Sequence, residues 1–425
     1  MQARESRGPL SGTSHRIVSR GSALYLSALV ARGAAQLVVL LALRAVSVEL
    51  ASDFVLALAV TAPVFVTLEL GLRTLYVTHD SRPSLASLIR VRAVCLTVAV
   101  CVSFLAAAIF APGISLIVLS VVVAWKAIDS VTDLLTARAQ AAGRIGLMSA
   151  VTATNGVSTL VFVGVATLVW GTAAAVLAGA LAGSLLALFI AITIVAGARE
   201  GAKELPGSGI GDVVVSGLWL GGATGLSSIT TSIPTVLLGR FGTAAEVVSM
   251  GLFQYVVFAL EMLLNAVYQA QLPRFVAMRA RYGDGPVRKS ALLSALRIAL
   301  VAGLGLPFVL VLVSTLFDVA LLSPTVSGGL LLSGMELVVI VAPLSFVAGM
   351  VLSTQNRYRA QFLVGWAGIL FSLAVGLLLV PLVGLLGAIA AYASGFAARF
   401  ISAFVLSMRC DRGAGRQQSG QKLDS

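Results

Sequence analysis

Residues 93–134 read AVCLTVAVCVSFLAAAIFAPGISLIVLSVVVAWKAIDSVTDL. Positions 93–111 carry no charged side chain. Pro112 and Gly113 break the run, and a second apolar run follows at once. A helix needs roughly 20 apolar residues to cross a bilayer. The stretch therefore reads as two crossings joined by a turn too short to hold folded structure outside lipid.

The same pattern repeats in both directions. Spans are expected at 22–43, 51–72, 93–111, 114–134, 147–169, 173–196, 213–238, 248–271, 291–316, 331–352, 361–382 and 385–407. Composition agrees: of 425 residues, 59% are hydrophobic and 11% charged, against about 25% charged in a soluble domain. Mean hydropathy is +1.02. The expected fold is an all-α membrane protein with about twelve transmembrane helices. That leaves no length for a sizeable soluble domain, which removes most enzyme readings. Residues 1–21 are polar and basic, and the apolar run after Ser22 is too long for a signal-peptide core, so it is expected to be the first span.

A net charge of +12 would suggest nucleic acid in a soluble protein. Here the basic residues gather in alternate loops, and no nucleic-acid partner is expected. Arg73, Arg82, Arg90 and Arg92 fall in one such segment; Arg274, Arg279, Arg281, Arg288 and Lys289 fall in another. The intervening loops hold only Arg44 and Arg240. By the positive-inside rule both termini are expected in the cytoplasm, in a multi-pass protein of the cell membrane. The longest inner loop, 272–290, is expected to lie on the membrane surface, and the tail after Arg409 to be disordered.

The two halves echo each other. The first span leads through Arg44 to Glu49 and Asp53, and the seventh through Arg240 to Glu246 and Ser249. The loop TARAQAAGR (136–144) corresponds to STQNRYR (353–359). An even number of helices per half gives parallel repeats, which transporters use to enclose a cavity with alternating access. The expected organisation is a basic N-terminus (1–21), a six-helix bundle (22–197), a cytoplasmic linker (198–212), a second six-helix bundle (213–407) and a tail (408–425), the bundles flanking a central cavity.

Ionisable groups within the spans are the candidates for function. Tyr25, Arg32 and Gln36 are seven and four apart and share a helical face. A guanidinium at that depth suits a diphosphate or an acidic sugar; a structural ion pair with another helix is the alternative. Gln254, Glu261, Asn265 and Tyr268 share a face of the eighth span. Glu261 either pairs with Arg32 in the empty cavity, binds a coupling proton or sodium ion, or forms a permanent salt bridge. Lys126, Asp129 and Asp133 have self-neutralising spacing on one helix and read as structural or gate residues. Arg240 is placed to meet an exiting substrate or to anchor the interface, while Arg297 and Arg399 read as snorkelling cations. The seventh span has Gly217, Gly221 and Gly225 for close packing, then a hydroxyl-rich stretch ending at Pro234. That stretch reads as cavity lining or as hydroxyls bonded to their own helix.

No P-loop, HExxH or DxD motif occurs, His15 and His79 are the only histidines, and Cys95, Cys101 and Cys410 form no CxxC pair. No metal site, cofactor or catalytic residue is expected.

Several stretches together resemble the polysaccharide-transporter (Wzx-type flippase) branch of the multidrug/oligosaccharidyl-lipid/polysaccharide exporter superfamily. They are LRAVSVELASDF (43–54), LELGLRTL (68–75), LGRFGTAAE (238–246) and VPLVGLLGAIA (380–390). The order of the matches carries the resemblance, and ASDF (51–54) departs from the family's usual turn motif. The resemblance implies a flippase moving undecaprenyl-diphosphate-linked oligosaccharide to the outer leaflet for surface polysaccharide. Its implied partners are that glycolipid, membrane lipids and the polymerase and chain-length machinery. The rival readings are a cation-coupled multidrug or small-molecule antiporter of the same superfamily and a membrane-embedded polysaccharide polymerase.

Overall fold

The computed structural model describes residues 11–78, 84–142, 144–197, 210–282, 284–317, 328–354 and 358–408. The described residues form thirteen helices: α1 (Ser11–Val46), α2 (Val48–Leu68), α3 (Leu72–Thr78), α4 (Leu85–Phe110), α5 (Leu116–Ala141), α6 (Ile145–Val169), α7 (Ala173–Gly197), α8 (Ile210–Phe241), α9 (Ala244–Tyr282), α10 (Asp284–Phe317), α11 (Gly328–Thr354), α12 (Tyr358–Val383) and α13 (Leu385–Met408). All except α3 are long, so the fold is the expected all-α membrane bundle of twelve long helices. Nine of them are long and apolar enough to cross a membrane among the described residues. Large apolar side chains cover the outside, with Leu168 88% and Leu304 82% exposed. Lipid is the solvent that suits such a surface.

Helix ends are set by polar side chains at the predicted turns. Ser47 caps α2, its hydroxyl accepting from the Leu50 amide. Asp53 accepts from the Ser115 amide at the start of α5. Thr243 and Glu246 form a reciprocal capping box on α9, and Glu246 also accepts from the Leu385 amide at the start of α13. The acidic residues after the first span of each half thus tie helices together at one membrane face.

Two expectations are revised. The segment 272–290 is not a surface loop: α9 continues to Tyr282 and α10 begins at Asp284. Hydropathy marks where lipid ends, not where hydrogen bonding ends, and Ala, Met and Arg sustain a helix beyond the bilayer. The second span ends at Leu68, where Leu70 (φ 54°) and Gly71 (φ 55°) reverse the chain into α3. The left-handed conformation costs a non-glycine residue about 1–2 kcal/mol. Leu70 is 3% exposed, so side-chain packing opposes that cost.

In the first half α1 packs on α6 and α7, and α2 on α4 and α5. In the second, α13 packs on α11 and α12, and α12 on α8. The halves meet where α1 and α2 face α8 and α9, and one apolar core runs through both. Glycines set the separation at this seam. A side chain on Gly221 would meet the Thr67 carbonyl, and one on Gly225 the Thr67 hydroxyl. Near the other membrane face, Gly239 lies against Leu56 and Gly251 against Val55. These contacts hold α2 close to the second half at two heights along the seam.

Candidate functional site

The polar interior of the first half is assembled from five helices and the turn after α2. From α1, the Arg32 guanidinium donates to Asp129 of α5 at 2.6 Å. Asn155 of α6 donates to the other Asp129 oxygen at 3.1 Å. Four residues along α5, Asp133 accepts from Arg73 at 2.7 Å. Arg73 comes from α3, donates also to Gln140 at 2.8 Å, and lies over the Tyr25 ring at 5.9 Å. Arg92 of α4 is 3% exposed and donates to Ser130 at 3.0 Å, while its Nε has no partner. Glu69 and Lys126 lie within Coulomb range of these groups.

By formal charge the cluster sets Arg32, Arg73, Arg92 and Lys126 against Glu69, Asp129 and Asp133, with one more cation than anion. Tyr25, Arg32, Arg73, Asp129, Asp133 and Asn155 line a cavity of about 60 Å³. That is below the roughly 300–1,000 Å³ of ligand pockets, and its lining comes from the first half alone.

The sequence candidates fall into separate places. Tyr25 and Arg32 face the cavity, and Gln36 is half-buried beyond it. Arg32 pairs with Asp129 and not with Glu261. Lys126, Asp129 and Asp133 do not neutralise one another alone: their helix faces inward, and each carboxylate is bound by an arginine of another element. Glu261 of α9 sits in the second half, within Coulomb range of Arg399 and Tyr392 of α13. Arg240 is exposed in the last turn of α8. The side chain of Asn265 lies outside the described residues.

Three readings change. Arg92 is a buried bundle residue and Arg73 belongs to the cluster; neither is a plain loop cation. Arg399 does not snorkel: its guanidinium lies over Phe396 at 5.8 Å, its Nε is buried, and its stem fills the space left by Gly368. In α8, Thr230 and Thr231 donate to carbonyls of their own helix, and its glycines serve the seam. Glu69, Arg73, Arg92 and Asn155 are missing from the sequence candidates. Two opposite charges within the otherwise apolar LELGLR are the available signal.

No protein-family model matches the chain, and no curated protein matches it in sequence. Solved structures do match in fold. The Vibrio cholerae MATE transporter VcmN, in its bent form, has a TM-score of 0.63 at 14% identity, covering 94% of this chain and 98% of that one. The lipid II flippase MurJ in an inward closed conformation scores 0.65 at 14% identity, covering 93% and 87%. The MATE multidrug transporter DinF-BH scores 0.61 at 18% identity, covering 96% and 98%. Over nearly its whole length, the chain has the fold of the MATE transporters and of the MurJ lipid II flippase.

Proposed function

We propose that the chain is a transporter that flips an anionic, lipid-linked oligosaccharide, of the undecaprenyl-diphosphate class, from the inner to the outer leaflet by alternating access. The observation that carries this is the excess cation of the buried cluster on α1, α3, α4 and α5. A guanidinium binds phosphate as it binds carboxylate, through paired N–H donors. A diphosphate entering an opened seam would compete with Asp129 for Arg32 and with Asp133 for Arg73. The carboxylates hold the arginines in place when substrate is absent, which avoids an unpaired buried charge. On this reading the protein works in the cytoplasmic membrane with both termini inside, as the charge of its loops supports, and polymerase and chain-length proteins are its candidate partners.

A second reading has a specific observation in its favour. Asp129 and Glu261 put a buried carboxylate in each half, which would suit a cation-coupled antiporter of multidrug type. Reconstitution separates the two. In proteoliposomes, a fluorescent polyprenyl-diphosphate oligosaccharide should change leaflet with the wild-type protein, and Arg32→Gln should slow it at least tenfold, a loss of about 1.4 kcal/mol. Uptake of an organic cation driven by a proton or sodium gradient, without glycolipid flipping, would overturn the proposal.

A further inference from the structure

A second cavity is an apolar groove of about 540 Å³ between α12 and α13. Leu363, Ala367 and Phe371 form one wall, and Ala397, Ile401 and Val405 the other. Leu363, Phe371 and Ile401 are 58–60% exposed, so the groove opens outward. Its α13 side runs from Ser394 to Leu406, about 18 Å at the helical rise of 1.5 Å per residue. One leaflet's hydrocarbon is about 15 Å deep, half the bilayer core. The groove therefore has the length of one lipid chain in one leaflet.

A charge lies one helical turn before Leu363. Arg359, Leu363, Ala367 and Phe371 follow one another at four-residue intervals, so they form one stripe on α12. Arg359 is exposed in the first turn of α12, and its guanidinium lies 5.8 Å from the centroid of Trp219 on α8. A guanidinium stacked on an indole keeps N–H donors that an anion can use. The opposite face of α12 is occupied: Gly365 lies against Leu226 and Gly368 against Arg399. The groove is thus on a different side of α12 from the one packed against Leu226 of α8.

We infer that this groove is a binding site for a resident anionic phospholipid, with one acyl chain between α12 and α13 and the phosphate on Arg359. The site is independent of the transport reading. Native mass spectrometry of the purified full-length protein tests it, with phosphatidylglycerol and phosphatidylethanolamine of identical chains added in equal amounts. The wild-type protein should retain phosphatidylglycerol about fivefold better, the factor for one arginine beside an anionic headgroup. Arg359→Gln should erase the preference. Ala397→Trp, which fills the groove from its lipid side, should remove retention of both lipids; Ala367→Leu, a smaller filling, should weaken it if the tryptophan variant fails to fold. Equal retention of the two lipids by the wild-type protein would overturn the inference. So would a filled groove that retains phosphatidylglycerol, a dimer abolished by Ala397→Trp, or displacement of phosphatidylglycerol by polyprenyl phosphate, which would assign the groove to the transported lipid.

Discussion

At the scale of single residues, the Arg32–Asp129 pair decides how the polar interior is held. Asp129 is 8% exposed in its side chain and accepts from two helices, while Arg32 is 30% exposed. Removing Asp129 strands the Arg32 charge, and because Arg32 is partly exposed the cost is about 1–3 kcal/mol, below that of a fully buried pair. Asp129→Ala should lose that much in denaturant unfolding of the micelle-solubilised protein. Arg32→Met combined with Asp129→Leu should recover most of it, because neither charge then remains buried. If the double variant folds and fails to flip glycolipid, the arginine acts on substrate and not only on stability. If the double variant is as unstable as Asp129→Ala, stranded charge is not the cause of the loss.

At the scale of elements, the α2–α8 crossing is where the two halves are locked. The backbone around Thr67 approaches α8 so closely that Gly221 and Gly225 have no room for a Cβ. Overpacking of this kind costs about 1–3 kcal/mol. Gly221→Ala and Gly225→Ala should each lower the unfolding midpoint or favour an opened seam. With native cysteines replaced, an opened seam would speed labelling of a Thr67→Cys reporter by a small polar thiol reagent. Gly164 of α6 has nothing within 4 Å of its would-be Cβ. There, Gly164→Ala should be neutral or stabilising by up to about 1 kcal/mol, from helix propensity alone. Equal effects at Gly164 and Gly221 would mean that the crossing is not held by glycine contact.

At the scale of the whole molecule, the helix count was legible because hydropathy alone dictates it: a run such as 93–111 has no soluble alternative. The close packing of α8 was legible for a similar reason, since glycines four residues apart form a flat helical face. The partners of the buried charges were not. Which helix faces Asp129 depends on bundle packing, and sequence spacing relates residues only within one helix. Arg73 and Arg92 were read as loop cations because they lie beside a basic loop, yet the chain reversal at Leu70–Gly71 brings Arg73 inward and the start of α4 buries Arg92. The same loop charges remain the ground for orientation, and topology is where that ground is tested. The turn between α8 and α9 holds Gly242 and Thr243, and the turn after α5 holds Ala142. If the basic loops face the cytoplasm, a Thr243→Cys reporter in intact cells should react with a membrane-impermeant maleimide. An Ala142→Cys reporter should react only after permeabilisation. The reverse pattern would invert the molecule, and with it the side from which substrate reaches the arginine cluster.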